Sequence, residues 1–169
     1  LLFMGAEIAQ SKEWNHDQSL DWHLLEHISH SGMQQTIKDL NAVYTSTPAL
    51  YEQDTSPAGF AWLDSNNAEQ SMFSFIRYAK KAEDFVVVIC NLTPQVYHDY
   101  VIGVPKAGAY QVILNTDKAD YFGSGVAATN HAEQIIVSQA KESHGFNQSI
   151  SVSLPGLATI YLKKVNDES

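Results

Sequence analysis

The fold prediction starts from the first segment of the chain, Leu1-Leu2-Phe3-Met4-Gly5-Ala6-Glu7-Ile8-Ala9-Gln10. Its apolar start, Leu1 to Met4, is typical of a strand buried on both faces, as the parallel strands of α/β proteins are. The polar and aromatic residues that follow suit a loop at the carboxyl end of such a strand, where α/β folds place their sites. A parallel strand needs neighbours, and no later segment has the pattern to supply them. We therefore expect the chain to be the tail of a larger enzyme.

Composition excludes several classes of protein. With 44% hydrophobic and 11% aromatic residues, the 169-residue chain is not expected to be disordered. No apolar run approaches the roughly 18 residues that span a bilayer, and no basic segment precedes one, so membrane and secretory classes are not expected. The net charge of −9 would repel a polyphosphate, so nucleic acid is not an expected partner. That charge would not affect the binding of a neutral polyhydroxylated ligand.

The single cysteine indicates a cellular compartment. Cys90 lies at the end of the apolar run that starts at Phe85, and it has no second cysteine with which to form an internal disulfide. It is therefore interpreted as a small core residue in a reducing compartment, which predicts a cytoplasmic protein.

Apolar periodicity predicts a helix from Met33 to Tyr44, because apolar side chains recur every three or four residues there. Ser31 and Gly32 are candidate caps for this helix. Thr47 and Pro48 resemble the N-cap and first turn of a short helix that reaches Tyr51. The turn residues of 54–59 mark a boundary between two regions.

Beyond that boundary the pattern changes to short β segments. One of them, the stretch 149–154, alternates cleanly between apolar and polar side chains. Eight short strands with turn signals between them indicate an antiparallel β-sandwich. The predicted strands are Phe60 to Leu63, Ser71 to Tyr78, Phe85 to Asn91, Tyr97 to Ile102, Gly108 to Leu114, Gln134 to Val137, Ser149 to Leu154 and Leu157 to Lys163. The segment from Asn115 to Asn130 has no period and is predicted to be a long surface loop.

Several motifs are shared with a known family. The most specific lie in the first 25 residues: Leu1-Leu2-Phe3-Met4-Gly5-x-Glu7-x-Ala9-Gln10, Glu13-Trp14-Asn15-His16-Asp17 and Ser19-Leu20-Asp21-Trp22-His23-Leu24-Leu25. Others follow in order: Gly59-Phe60-x-Trp62, Asn91-x-Thr93-Pro94, Leu114-Asn115-Thr116-Asp117 and Leu154-Pro155-x-Leu157-Ala158-Thr159. Together they resemble the end of the catalytic barrel and the following domain of bacterial glycogen branching enzymes. Three positions depart from the family pattern: Lys12 stands in place of Arg, Ala61 in place of a charged residue, and Gly156 in place of a second Pro.

The resemblance implies a fold and a division into domains. The family belongs to the α-amylase superfamily, in which a (β/α)8 barrel precedes an all-β C-terminal domain. The chain is therefore expected to be mainly β. Residues 1–52 would be the last strand, loop and helix of the barrel, and residues 59–165 the antiparallel β-sandwich.

The resemblance also implies a reaction. The family cleaves α-1,4-glucan chains and transfers the cleaved piece to a 6-hydroxyl of glycogen as an α-1,6 branch. A carboxylate nucleophile and a carboxylic acid/base act with retention of configuration, and in the family both lie upstream of the last barrel strand. No catalytic residue, metal or cofactor is therefore expected in this chain. Its expected partners are the α-glucan and the barrel of the same polypeptide.

Four residues are candidates for contact with a glucan: Trp14, Asn15, Trp22 and Trp62. An indole offers a flat apolar face to a sugar ring, and an amide can pair with hydroxyl groups. Trp62 shares a strand face with Phe60, which is typical of a core pair. The alternative is an exposed platform for a glucan, with Tyr78 or Tyr97 as neighbours.

Other polar residues are interpreted as structural. Glu7 is expected to bond within its loop and Asp21 to cap the segment at Trp22, because one barrel strand cannot form both walls of a cleft; Asp17 is treated in the same way. His23, His27 and His30 are closely spaced, but a zinc site needs a third or fourth rigid ligand, and 28–32 is predicted to be a loop.

Three other functions stay open at this point. The chain could be a free-standing carbohydrate-binding module, the tail of another α-amylase superfamily enzyme, or a purely structural domain. The first is disfavoured because a self-contained sandwich has no need of residues 1–52.

Overall fold

A computed structural model of the chain describes residues 3–126 and 135–165. It contains one α-helix, α1 (Ile28–Ser46), and eight strands: β1 (Phe60–Asp64), β2 (Met72–Tyr78), β3 (Phe85–Asn91), β4 (Tyr97–Val104), β5 (Ala109–Asn115), β6 (Ile135–Val137), β7 (Gln148–Leu154) and β8 (Ala158–Lys164). Short 3-10 helices cover Ala6–Ile8, Trp22–Glu26, Pro48–Leu50, Pro57–Gly59 and Ala119–Tyr121. All eight predicted strands are confirmed.

The strands form two antiparallel sheets, which confirms the predicted mainly β fold. Six strands pair in the order β1-β2-β3-β8-β5-β6, and β4 pairs with β7 in a separate two-stranded sheet. The central strand β3 is buried along its whole length, because one of its faces lies against the second sheet and the other is covered by residues ahead of β1. Because both faces of β3 are buried, its sequence is continuously apolar.

The main core lies between the two sheets. Alternate side chains of the strands point into it, as the two-residue period of a strand requires. Its buried members include Ile76, Phe85, Val87, Ile89, Ile102, Val104, Tyr110, Val112, Ile150, Leu154, Ile160 and Leu162. Each strand therefore keeps one face for this core.

A second, smaller core lies on the outer face of the six-stranded sheet. Ala49, between α1 and β1, is fully buried there with Val86, Val88 and Cys90 of β3. The burial of Cys90 confirms its assignment as a core residue, and burial raises the pKa of its thiol. The segment that connects α1 to the sheets is therefore packed onto them.

Hydrogen bonds fix this connecting segment to the end of β2. The Arg77 guanidinium donates to the carbonyl oxygens of Gly59 and Leu50, and it pairs with the carboxylate of Asp54. The Gln53 amide donates to the carbonyl oxygen of Ala79 at 2.7 Å. The turn residues of 54–59 are thus held against the sheet by Asp54 and Gly59.

Helix α1 begins earlier than the sequence indicates. Its N-cap is His27, and Ser31 lies inside the helix with its hydroxyl on the carbonyl oxygens of His27 and Ile28. The predicted caps at Ser31 and Gly32, and the predicted loop at 28–32, are therefore wrong. Gly32 serves close packing instead: a Cβ there would lie 2.8 Å from the carbonyl carbon of Tyr121. The Tyr121 hydroxyl donates to Asp39 of α1 at 2.6 Å.

The predicted first strand is not formed in the described residues. Phe3 has no regular structure, Met4 begins a turn, and their side chains are 55% and 59% exposed; Leu1 and Leu2 lie outside the described residues. A parallel strand requires partners, and the neighbouring segments fold as helix and antiparallel sheet. The predicted loop at 115–130 contains the Ala119–Tyr121 turn, and its residues 127–130 also lie outside the described part.

Candidate functional site

The most distinctive exposed surface is an aromatic patch at the β1 edge of the six-stranded sheet. We define the aromatic patch as Phe60 and Trp62 of β1 with Phe73 and Phe75 of β2. Antiparallel pairing places Trp62 directly opposite Phe75. All four side chains lie on the outer face of the sheet, because the intervening residues of both strands point into the main core. The side chain of Trp62 is 56% exposed, so its interpretation as a core residue is wrong.

The rings of the aromatic patch hold the indole upright. The rings of Phe73 and Phe75 are nearly parallel, at an angle of 13°, and the Phe60 ring is inclined by 27° to that of Phe75. The indole of Trp62 stands almost perpendicular to Phe60, at 89° with centroids 4.9 Å apart. Edge-to-face contacts of this kind are favourable for aromatic rings. The indole is therefore a fixed apolar plate beside solvent.

The neighbours predicted for Trp62 lie elsewhere. Tyr78 and Tyr97 pack against the main core, on the opposite side of their sheets from the aromatic patch, and burial raises the pKa of the Tyr78 hydroxyl. The residues that sequence reasoning missed are Phe73 and Phe75. The alternation in 72–76 could have identified them, since it separates these two rings from the core-facing side chains.

The second group of candidates lies on the loop ahead of α1. Trp14 is 39% exposed and makes an edge-on contact with Phe3, their centroids 5.3 Å apart. The side chain of Asn15 accepts a hydrogen bond from the backbone of Asp17 at 2.9 Å, which makes a local turn. Trp22 is 51% exposed at the start of a 3-10 helix. This loop thus presents two indoles and an amide to solvent.

The carboxylates near this loop have structural partners. Glu7 accepts a hydrogen bond from the backbone N–H of Gly5 at 3.0 Å, as predicted. Asp21 occupies the N-cap position of the Trp22–Glu26 helix, but its carboxylate makes no capping bond and instead pairs with Lys12 at 3.2 Å. Asp17 pairs with His16 on the surface. These three carboxylates therefore have local partners.

No set of three or more His, Cys, Asp or Glu side chains within 3–126 and 135–165 is arranged to hold a metal ion. The His30 ring donates from Nδ1 to the carbonyl oxygen of Ile8 at 2.8 Å and so ties α1 to the first loop. Over the same residues, no helix has the length and hydrophobicity that crossing a membrane requires.

Comparison with known proteins agrees with the architecture. The class that the fold defines is an all-β domain in which two antiparallel sheets enclose the main core. The chain belongs to the family described as alpha amylase, C-terminal all-beta domain, whose model matches residues 62–165. In overall fold it is similar to an alpha-amylase from H. orenii, with a TM-score of 0.50 and 14% identity over 86% of this chain and 22% of that one.

Much closer in sequence are several bacterial proteins named 1,4-alpha-glucan branching enzyme. Those of Rhodospirillum rubrum and Aquifex aeolicus are 47% identical to this chain over 163 residues, and that of Cereibacter sphaeroides is 48% identical over 164 residues. Each match covers 96% of this chain, and the chain spans 21%, 25% and 22% of the three relatives. The similarity therefore includes most of residues 1–61 as well as the β domain.

Proposed function

We propose that this chain is the C-terminal part of a cytoplasmic 1,4-α-glucan branching enzyme. The observation that carries the proposal is the 47% identity to branching enzymes over 96% of the chain. The family of the β domain alone would suit many α-amylase relatives, but residues 1–61 match the branching enzymes as well. The enzyme would cut an α-1,4-glucan and transfer the piece to a 6-hydroxyl, with retention of configuration through a glycosyl-enzyme.

The chain would support this reaction without performing it. The resemblance assigns the nucleophile and the acid/base to another part of the polypeptide, and Glu7, Asp17 and Asp21 have structural partners here. Residues 1–52 would pack against the rest of a catalytic barrel. The exposed apolar side chains of this region support that role: Phe3, Met4, Ile28, Met33 and Tyr44. Covering such a surface is the expected function of a partner domain.

The first loop would meet the glucan at the acceptor side of the active site. Trp14 and Trp22 offer indole faces, and Asn15 offers a side-chain amide whose oxygen accepts the hydrogen bond of the local turn. Such a combination of apolar plates and amide donors suits sugar rings with equatorial hydroxyls.

The aromatic patch would bind glucan outside the active site. Covering about 40 Å² of indole contributes only about 1 kcal/mol, whereas millimolar affinity needs about 4 kcal/mol. Contacts with the surrounding phenylalanines add area, and a polymer offers many equivalent segments, which raises the apparent affinity through multivalency. The patch would therefore hold glycogen or a long glucan weakly and a short oligosaccharide hardly at all.

Co-sedimentation of the chain with glycogen tests this binding. The Trp62→Ala variant is expected to lose most of the bound fraction, because it removes the exposed plate and leaves the core unchanged. The matched control is Val137→Ala, which truncates a 67% exposed side chain at the opposite edge of the same sheet. Equal binding by wild type and Trp62→Ala would refute a glucan site at the aromatic patch.

A further inference from the structure

The loop that carries Trp14 and Asn15 makes few packing contacts of its own. Residues 11–19 are all exposed, so burial does not determine the path of the backbone. Its two ends are joined instead by the side chain of Gln10. The Oε1 atom of Gln10 accepts a hydrogen bond from the Asp21 N–H at 2.9 Å, and its Nε2 donates to the carbonyl oxygen of Lys12 at 3.3 Å. The ion pair between Lys12 and Asp21 closes the same loop.

Gln10 is itself held in one position. Its backbone N–H donates to the carbonyl oxygen of Gly5 at 2.9 Å. The preceding residue, Ala9, has a left-handed backbone with φ of 51°, a conformation that persists only where the surroundings enforce it. Gly5 also has a positive φ, of 89°, and a Cβ there would lie 3.1 Å from the Cβ of Gln10.

A continuous set of contacts connects this position to the β domain. Ile8 is fully buried, and its carbonyl oxygen accepts the hydrogen bond from His30 of α1. Further along α1, Asp39 accepts the hydrogen bond from Tyr121, which follows β5. The base of the loop is therefore anchored on the helix, and the helix is anchored on the sandwich.

From this arrangement we propose that Gln10 is a positioning residue for the glucan acceptor. Its side-chain amide sets the place of Trp14 and Asn15, so it acts on the acceptor through them and does not touch it. The inference rests on the proposed function, since it needs an acceptor site at this loop. We call the two hydrogen bonds of the Gln10 side chain the clamp. Without the clamp the loop would be closed only by the exposed Lys12–Asp21 ion pair, and binding of the acceptor would include the entropic cost of ordering the loop.

Two variants and two measurements test the proposal. Gln10→Leu removes both hydrogen bonds, whereas Gln10→Glu keeps the acceptor for the Asp21 N–H. In the 169-residue chain, hydrogen exchange of the Asp21 amide should accelerate about fivefold to tenfold in Gln10→Leu and stay near wild type in Gln10→Glu. Unchanged exchange in Gln10→Leu would overturn the clamp, whatever the function of the protein.

The second measurement uses the complete branching enzyme with amylopectin as acceptor. Gln10→Leu should raise the KM for the acceptor about fivefold with kcat little changed, and Gln10→Glu should restore it, because only binding is affected. Partial unfolding would instead lower kcat and leave KM unchanged. In a Trp14→Ala background, Gln10→Leu should have little further effect. If the wild-type enzyme makes branches and Gln10→Leu has an unchanged KM, the inference alone is overturned. A wild-type enzyme that makes no branches would overturn the proposed function.

Discussion

At the residue scale, Asn91 at the end of β3 uses every hydrogen-bonding position of its amide. Its Nδ2 donates to the carbonyl oxygens of Gln95 and Pro155, both at 2.8 Å, and its Oδ1 accepts from the backbone and hydroxyl of Thr93. The residue is only 1% exposed. Removing the amide would leave several buried groups unpaired, each at a cost of about 1–3 kcal/mol.

Asn91→Ala is therefore expected to lower the free energy of unfolding by about 2–4 kcal/mol, measured by urea denaturation. The matched control is Asn66→Ala on the exposed turn after β1, which should change stability by less than about 0.5 kcal/mol. Equal stabilities for the two variants would contradict the structural role of Asn91.

Substitution of Ser74, in contrast with that of Asn91, is expected to stabilise the fold. Ser74 is 1% exposed in β2, and its hydroxyl has no hydrogen-bond partner among the described residues. A buried hydroxyl without a partner is destabilising, so Ser74→Ala should raise the free energy of unfolding by about 1 kcal/mol. The control is Thr116→Val, which removes an oxygen that accepts from the Thr159 N–H at 2.9 Å and should be destabilising. A lower urea midpoint for Ser74→Ala would show that the hydroxyl is satisfied.

At the scale of elements, helix propensity and packing make opposite predictions at Gly32 of α1. Alanine is favoured over glycine inside a helix by about 1 kcal/mol. The added Cβ at position 32, however, would lie within 3 Å of the Tyr121 backbone, at 2.8 Å. Gly32→Ala should therefore lower the melting temperature, and the packing between α1 and the Ala119–Tyr121 turn should loosen.

The exposed position Ala42 in the same helix separates the two effects. Ala42→Gly is expected to cost about 1 kcal/mol from propensity alone. A melting temperature for Gly32→Ala above that of the wild type would mean that propensity prevails and that the helix and the turn do not pack closely.

The elements were predictable where the signal is local. Strand positions followed from alternation and from turn residues. The observed bounds of β3 are identical to the predicted ones, because both faces of this strand are buried and its apolar run is continuous. The start of α1 was misplaced because Ser31 and Gly32 have the composition of a cap, whereas contact with Tyr121 and hydrogen bonds within the helix determine their positions. The segment Leu1 to Met4 has the composition of a buried strand, but composition does not supply pairing partners.

The candidate site was only partly predictable for a related reason. The sequence placed Phe60 and Trp62 on one face of a strand, and that prediction is confirmed. Which other rings join them depends on the register between β1 and β2, and the predicted neighbours Tyr78 and Tyr97 were wrong. The hydrogen bonds of Gln10 to Lys12 and Asp21 depend on a loop geometry that no spacing rule describes.

At the scale of the whole molecule, alkaline pH should weaken the fold. Five tyrosines have a pKa above the ordinary value of about 10, and burial is the largest cause of the shift in each. For Tyr110, burial raises the pKa to about 12. The other four are Tyr78, Tyr100, Tyr121 and Tyr161. Between about pH 10 and pH 12 the unfolded chain loses protons that the folded chain keeps, so stability present below pH 10 declines as the pH rises.

The measurement is the urea midpoint as a function of pH, followed together with tyrosinate absorbance. Tyr110→Phe should flatten the decline, although it loses the hydrogen bond from the Tyr110 hydroxyl to the carbonyl oxygen of Lys106 at 2.6 Å. A midpoint that is constant up to about pH 11 would mean that these hydroxyls titrate equally in both states.

We propose that this chain is part of a branching enzyme and contributes structure and glucan contacts to it. The most direct measurement is the appearance of α-1,6 linkages in amylose, detected by anomeric proton NMR, with the complete polypeptide and with the 169-residue chain alone. We expect the complete polypeptide to form α-1,6 linkages without a matching rise in reducing ends, and the chain alone to form none. Branch formation by the chain alone, or hydrolysis without branching by the complete polypeptide, would refute this proposal.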